Sequence, residues 1–230
     1  MIDVYTWVTG NCHKIHIILE ELGLPYNLKP VNIFLGEQLA PDFLKLNPNN
    51  KIPVIIDHDG PTEAPYVLFE SGAILLYLAE KTGKLIPQDA AKRFEVIQWL
   101  MFQVSGLGPY GGQALHFRQF AAEKIPYAID RYTNEMTRQF RMMDGVLKDR
   151  EFIAGDYSIA DIALFPWVRM EKRLGQEFSD YPHIKRWHDT IAARPAVTKA
   201  ITTLADRVKT TALSDEDRSV LFGKRQYSPR

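Results

Sequence analysis

Cysteine is almost absent from this chain: of 230 residues, only Cys12 carries a thiol. One thiol excludes an intramolecular disulfide and any Cys-x-x-Cys redox pair, and it suits a reducing compartment. Net charge is missing too, since 28 Lys and Arg balance 28 Asp and Glu. This balance argues against a broad electrostatic footprint for nucleic acid or an anionic membrane, and any partner has to be recognised locally. Long apolar runs are lacking: the longest, Ala73 to Ala79, falls far short of the ~20 residues that cross a bilayer. The start, Met1-Ile2-Asp3-Val4-Tyr5, has no basic segment leading into an apolar stretch, the mark of a secretory leader. Together these gaps predict a cytoplasmic protein without nucleic-acid or membrane partners. Apolar material is plentiful, and 46% hydrophobic residues at this length provide for one large or two small cores.

Ile2 to Tyr5 reads as a short strand, followed by a helix with Ile15, Ile18, Leu19 and Leu22 on one face and a stop at Gly23 and Pro25. A second strand is expected over Tyr26 to Ile33. After a polar stretch, Val54-Ile55-Ile56 and Val67-Leu68-Phe69 read as a hairpin turning at Asp59-Gly60, and Glu70-Ser71-Gly72 opens a helix that ends at Gly83. This order is that of a thioredoxin-like α/β layer over residues 1–83. Residues 84–89, with Leu85-Ile86-Pro87, read as a linker. Over residues 90–203 the periodicity is helical, as in Ile129, Tyr132, Met136, Phe140, Met143 and Leu147, which predicts an all-α second domain. Ser158-Ile159-Ala160-Asp161 has a capping-box spacing with Asp for the more usual Glu or Gln. Residues 204–230, with Asp215-Glu216-Asp217 and Lys224-Arg225, read as a polar tail on the surface or frayed, either covering a cleft or idle.

Some patterns promise chemistry that their context denies. Gly106-x-Gly108-x-x-Gly111 has the letters of a dinucleotide fingerprint, but no strand precedes it and Pro109 interrupts it, so a flexible loop is expected. His13 and His16 share a helix face without a third ligand, and His183 and His188 are spaced worse, so no metal site is expected.

Three segments, Asn47-Pro48-Asn49-Asn50-Lys51-Ile52-Pro53-Val54, Glu70-Ser71-Gly72-Ala73-Ile74 and Tyr157-Ser158-Ile159-Ala160-Asp161, together resemble the glutathione transferase superfamily over roughly residues 1 to 200. Thr9-x-Asn11-x-His13-Lys14, Phe69 to Gly83 and Pro126 to Tyr132 resemble its bacterial nu class, which is related to a yeast nitrogen regulator of the same fold. The resemblance implies a homodimer and glutathione, reduced or oxidised, as cosubstrate. It also implies a cis bond before Pro53, so that the backbone of Ile52 pairs with the cysteinyl part of glutathione as with an added strand. Ser71 and the helix start would hold the γ-glutamyl carboxylate, and Glu70 the amino group. Gln38 and Lys51 would lie toward the glycyl end, and Arg131 would reach across from the helical domain to a carboxylate.

A free thiol, with a pKa of about 8.5, becomes mostly thiolate at neutral pH only for about 2.7 kcal/mol of stabilisation. A helix N-terminus supplies ~0.3 to 1 kcal/mol, so direct hydrogen-bond donors must contribute more. Thr9 and Asn11, just ahead of the first helix, match the Thr and Asn of the nu class and are the expected catalytic pair. Cysteine-type relatives carry their nucleophile at the position of Asn11; Cys12, one residue on, is turned about 100° away. Tyr5, at a strand end, is a further rival, read as a core or cleft-wall tyrosine. The expected reaction is disulfide reduction through bound glutathione thiols, with organic hydroperoxide reduction and weak transferase activity as companions. Two alternatives stand beside it: conventional conjugation of electrophiles in a pocket lined by Trp7, His116, Phe117 and Tyr132, and a regulatory module of the same fold without turnover.

Overall fold

A computed structural model describes residues 1–226; Tyr227 to Arg230, the end of the expected tail, lie outside the described residues. The chain clusters into two compact units, one of residues 1–74 with the segment from Lys199 onward, the other of residues 75–198.

In the first unit, β1 (Ile2–Thr6) alternates buried and half-buried residues, as a strand with one packed face must. It leads into α1 (Gly10–Leu22), which Thr9 caps and Gly23 closes at φ +65°, a conformation glycine adopts without a Cβ penalty. β2 (Tyr26–Pro30) stops three residues before the expected end at Ile33. From Asn32 the chain turns instead: its Oδ1 accepts the Phe34 N–H at 3.0 Å, and its own N–H goes to Glu37 Oε2 at 2.6 Å. The polar stretch that follows holds a 3₁₀ turn, Glu37–Leu39, and a short helix α2 (Pro41–Leu46). β3 (Val54–Asp57) and β4 (Tyr66–Phe69) form the expected antiparallel pair, but their connection spans residues 58–65 rather than closing tightly at Asp59-Gly60. The strand order is β2-β1-β3-β4, with β1 and β2 parallel and the other neighbours antiparallel. Tyr5 lies edge-on to Phe43 of α2 and packs against the cluster of Val31, Phe43 and Val54, a core role.

α3 (Ser71–Thr82) begins in the first unit and leads into the second, where α4 (Ala90–Phe102), α5 (Gly108–Leu115), α6 (Pro126–Leu147), α7 (Ile159–Val168) and α8 (Pro182–Ala192) follow. The expected loop at Gly106 to Gly111 is wrong. A π-helical turn, Gln103–Leu107, joins α4 directly to α5, and Pro109 is the second residue of α5, just past that turn. Gly111 serves packing: a Cβ there would come within 2.9 Å of the Trp167 ring. The Ser158–Asp161 capping box forms and starts α7.

After α9 (Pro195–Ile201), the supposed polar tail folds back to the first unit and forms α10 (Asp215–Phe222), capped reciprocally by Ser214 and Asp217. Among the described residues, no helix is long and apolar enough to cross a membrane.

Candidate functional site

Strand register brings the expected site residues of the first unit to one end of the sheet. Tyr5 pairs with Val54, and Val54 with Phe69. The segments just after β1, just before β3 and just after β4 therefore emerge together: Trp7 to Asn11, Ile52-Pro53 and Glu70-Ser71. Parallel pairing of Thr6 with Pro30 sends the segment holding Gln38 off the same end.

Thr9 holds the cap of α1, its Oγ1 accepting the Cys12 N–H at 3.3 Å, and an accepting hydroxyl still has one proton to give. Asn11 is the second residue of α1, a correction to its expected place ahead of the helix, and it is half-buried. Cys12 is fully buried, and burial pushes its thiol pKa up against hydrogen bonds from Thr6, Thr9 and the Trp7 backbone. A buried neutral thiol is a poor nucleophile, so the one-residue displacement from Asn11 separates an accessible amide from an inert sulfur.

The Ile52–Pro53 bond is cis. The turn before it is held by Asn47, which sequence reasoning passed over: buried, it donates from Nδ2 to the Lys51 carbonyl at 2.7 Å and accepts the Asn49 N–H at 2.9 Å. Lys51 itself is exposed. Gln38 is buried, with Nε2 donating to the Ile33 carbonyl at 3.3 Å, while its Oε1 has no hydrogen-bond partner among the described residues. An unsatisfied buried acceptor costs roughly 1–3 kcal/mol and suits a ligand N–H.

Glu70 is exposed and sits at φ +71°, where a residue with a side chain is strained; such strain gathers at binding sites. Ser71, buried, opens α3. Beneath them lies a residue the sequence reading missed as a site group. Lys14 is only 1% exposed, and its Nζ donates to Ser71 Oγ at 3.2 Å. Burial drives its pKa down to about 7, opposed by the charges of Glu70 and Cys12. The available signal was Lys14 as the one Lys, Arg, Asp or Glu in the stretch Gly10 to Leu19, a segment rich in Ile and Leu.

His16, also buried, lies 2.9 Å from Thr6 Oγ1 and is held neutral, its pKa lowered to about 3 by burial and by His13. Among the described residues, no group of three or more His, Cys, Asp or Glu could hold a metal ion. His188 instead stacks on Phe165 at 5.2 Å.

In the second unit, Arg131 is exposed on α6, with Nη1 3.8 Å from Glu135 Oε2. Next to it in sequence, Tyr132 stacks on Phe117 at 5.5 Å and 7°, and His116 meets Phe117 edge-on. Trp7 belongs to the first unit, where Arg207 of the C-terminal segment lies 5.7 Å over its ring. That segment also reaches the Asn47–Pro53 turn, through Asn50 Nδ2 to Gln226 Oε1 at 3.5 Å.

Two domain families match: the glutathione S-transferase N-terminal domain over residues 10–81 and the C-terminal domain over residues 113–195. The disulfide-bond oxidoreductase YfcG of Escherichia coli is 47% identical over 204 residues, covering 87% of this chain and 94% of its own length. A solved glutathione transferase from Burkholderia graminis, with two glutathione molecules bound per subunit, is 46% identical at a TM-score of 0.84, with 88% of each chain covered. Another, from Pseudomonas putida with one glutathione disulfide per subunit, is 43% identical at a TM-score of 0.84, covering 88% of this chain and 91% of the other.

Proposed function

The chain belongs to the glutathione S-transferase family, and from that premise we propose that it is a glutathione-dependent disulfide-bond oxidoreductase whose reactive sulfur belongs to glutathione. One observation carries this reading. The residues of the first unit expected to bind the tripeptide leave the sheet at one end, and the protein's only thiol is buried.

Thr9 and Asn11 donate to the glutathione sulfur and favour its thiolate. Ile52, turned by the cis bond, pairs with the cysteinyl backbone, Glu70 and Ser71 hold the γ-glutamyl zwitterion, and Gln38 and Lys51 face the glycyl end. Arg131 binds a carboxylate. The thiolate attacks one sulfur of the substrate disulfide; a glutathione mixed disulfide forms and the other sulfur leaves as a thiolate. A second glutathione thiolate attacks the glutathionyl sulfur of that mixed disulfide, giving glutathione disulfide and releasing the second substrate thiolate. The relatives solved with two glutathiones or one glutathione disulfide per subunit support a site that holds both tripeptides. An organic hydroperoxide would enter by the same thiolate attack, on its terminal oxygen, leaving an alcohol and glutathione sulfenic acid, which a second glutathione condenses to the disulfide and water. A cytoplasmic homodimer is the state we assign to the enzyme.

The test is the rate of hydroxyethyl disulfide reduction with glutathione. Asn11→Ala loses most activity and Cys12→Ser keeps it; the opposite pattern overturns the assignment. Conjugation of electrophiles is a second reading, favoured by the Phe117–Tyr132 stack as an apolar shelf. A chloronitrobenzene turned over faster than the disulfide would favour it.

A further inference from the structure

Lys14 has no part in the mechanism above, yet its ammonium nitrogen lies 3.2 Å from Ser71 Oγ in the interior of the first unit. An ammonium group can only donate, so while Lys14 is protonated the serine oxygen accepts from it and the serine proton is turned away. Turned away, it joins the unpaired N–H groups of the first turn of α3, which suit an anion. A neutral amine carries a lone pair instead, and it accepts the serine proton inward. The two protonation states of one buried nitrogen thus set two orientations of one hydroxyl.

We propose that Lys14 is a positioning residue for the γ-glutamyl carboxylate of glutathione, acting through Ser71, and that binding this carboxylate draws a proton onto the lysine. This rests on the glutathione-binding reading of the site. The ionisable groups acting on Nζ include the Glu70 carboxylate, between β4 and α3, and the Cys12 thiol of its own helix. Glu70 favours the ammonium, and Cys12, itself held protonated by burial, adds little charge at neutral pH. Burial opposes both and leaves the amine titrating at about 7, so the free site is part neutral under ordinary conditions. An arriving carboxylate tips the balance to the ammonium.

Calorimetric titration with S-methylglutathione at pH 7.5 tests this, because that ligand has no thiol proton to release. Run in phosphate and in Tris, whose ionisation enthalpies differ, wild-type protein should take up roughly half a proton on binding. Lys14→Met should bind at least tenfold more weakly and without uptake; Lys14→Arg, permanently charged, should keep more of the affinity and also show no uptake. Equal heats in the two buffers for wild type, or uptake persisting in Lys14→Met or Lys14→Arg, would overturn the inference. If Lys14→Met does not fold, the wild-type and Lys14→Arg titrations still decide. No heat at millimolar ligand from wild type would sink the glutathione reading itself and this inference with it, whereas heat without uptake sinks this inference alone.

Discussion

Trp187 Nε1 donates a 2.8 Å hydrogen bond to Asp161 Oδ1, and both side chains are fully buried. The same carboxylate accepts the N–H groups of Ile153 and Ser158, each at 3.0 Å, so one side chain ties α8, the start of α7 and the turn before it. Asp161→Ala leaves these donors stranded and should cost about 3–5 kcal/mol, while Trp187→Phe should cost about 1.5–3 kcal/mol. Urea unfolding of the two variants checks both values.

The burial of Cys12 predicts its chemistry in solution. Iodoacetamide should leave the native protein unmodified for hours and label it promptly in denaturant, as read by mass. Rapid labelling of the native state would restore this thiol as a candidate nucleophile.

On the proposed reading of the site, Glu70 trades stability for binding. Glu70→Gly relieves the positive φ, worth about 1–3 kcal/mol, but adds about 0.5–1 kcal/mol of unfolded-chain entropy. A net gain of about 1 kcal/mol in stability is expected, with at least a tenfold rise in KM for glutathione. Denaturation and steady-state rates on the same preparation separate the two effects.

His16 sets a pH dependence of known sign. Its folded-state pKa of about 3 lies below the ordinary value of 6.5, so the unfolded chain binds the extra proton between those limits. The stability it contributes is complete above pH 6.5 and is lost as pH falls toward 3, by at most about 1.4 kcal/mol per pH unit. Subtracting the stability profile of His16→Gln from that of wild type should leave this slope, and a flat difference would contradict it.

Two serines show what was legible in the chain and what was not. Ser158 and Asp161 were readable as a helix start because an apolar run follows them. Ser214 and Asp217 have the same spacing and form the same box, but α10 is short and charged, so its periodicity was too weak to mark it. The glycines from Gly106 to Gly111 misled for a related reason: glycine reads as a turn residue, whereas here the missing side chain admits the Trp167 ring, a tertiary contact no local pattern reports. Thr9, Asn11, Pro53, Glu70 and Ser71 were singled out through motif resemblance. Lys14 was not singled out, because its meaning depends on Ser71, far away in sequence.

The capping box of α10 is expected to bear on ligand affinity. Asp217 accepts from Lys209 Nζ and from Ser214, which hold its pKa down at about 2. Asp217→Ala should loosen the segment that reaches Asn50 and raise KM for glutathione severalfold with kcat little changed. An unaltered KM would show that this segment is idle.

The row formed by Tyr5, Val54 and Phe69 ties three otherwise unrelated stretches of polypeptide to one rung. Strands of four or five residues have no spare length. A single insertion within β3 would swap its inner and outer side chains and shift Pro53 away from both neighbours at once. Variation compatible with this scaffold is therefore confined to what hangs from the rung, and a redesign of the ligand would succeed in the loops and fail in the strands.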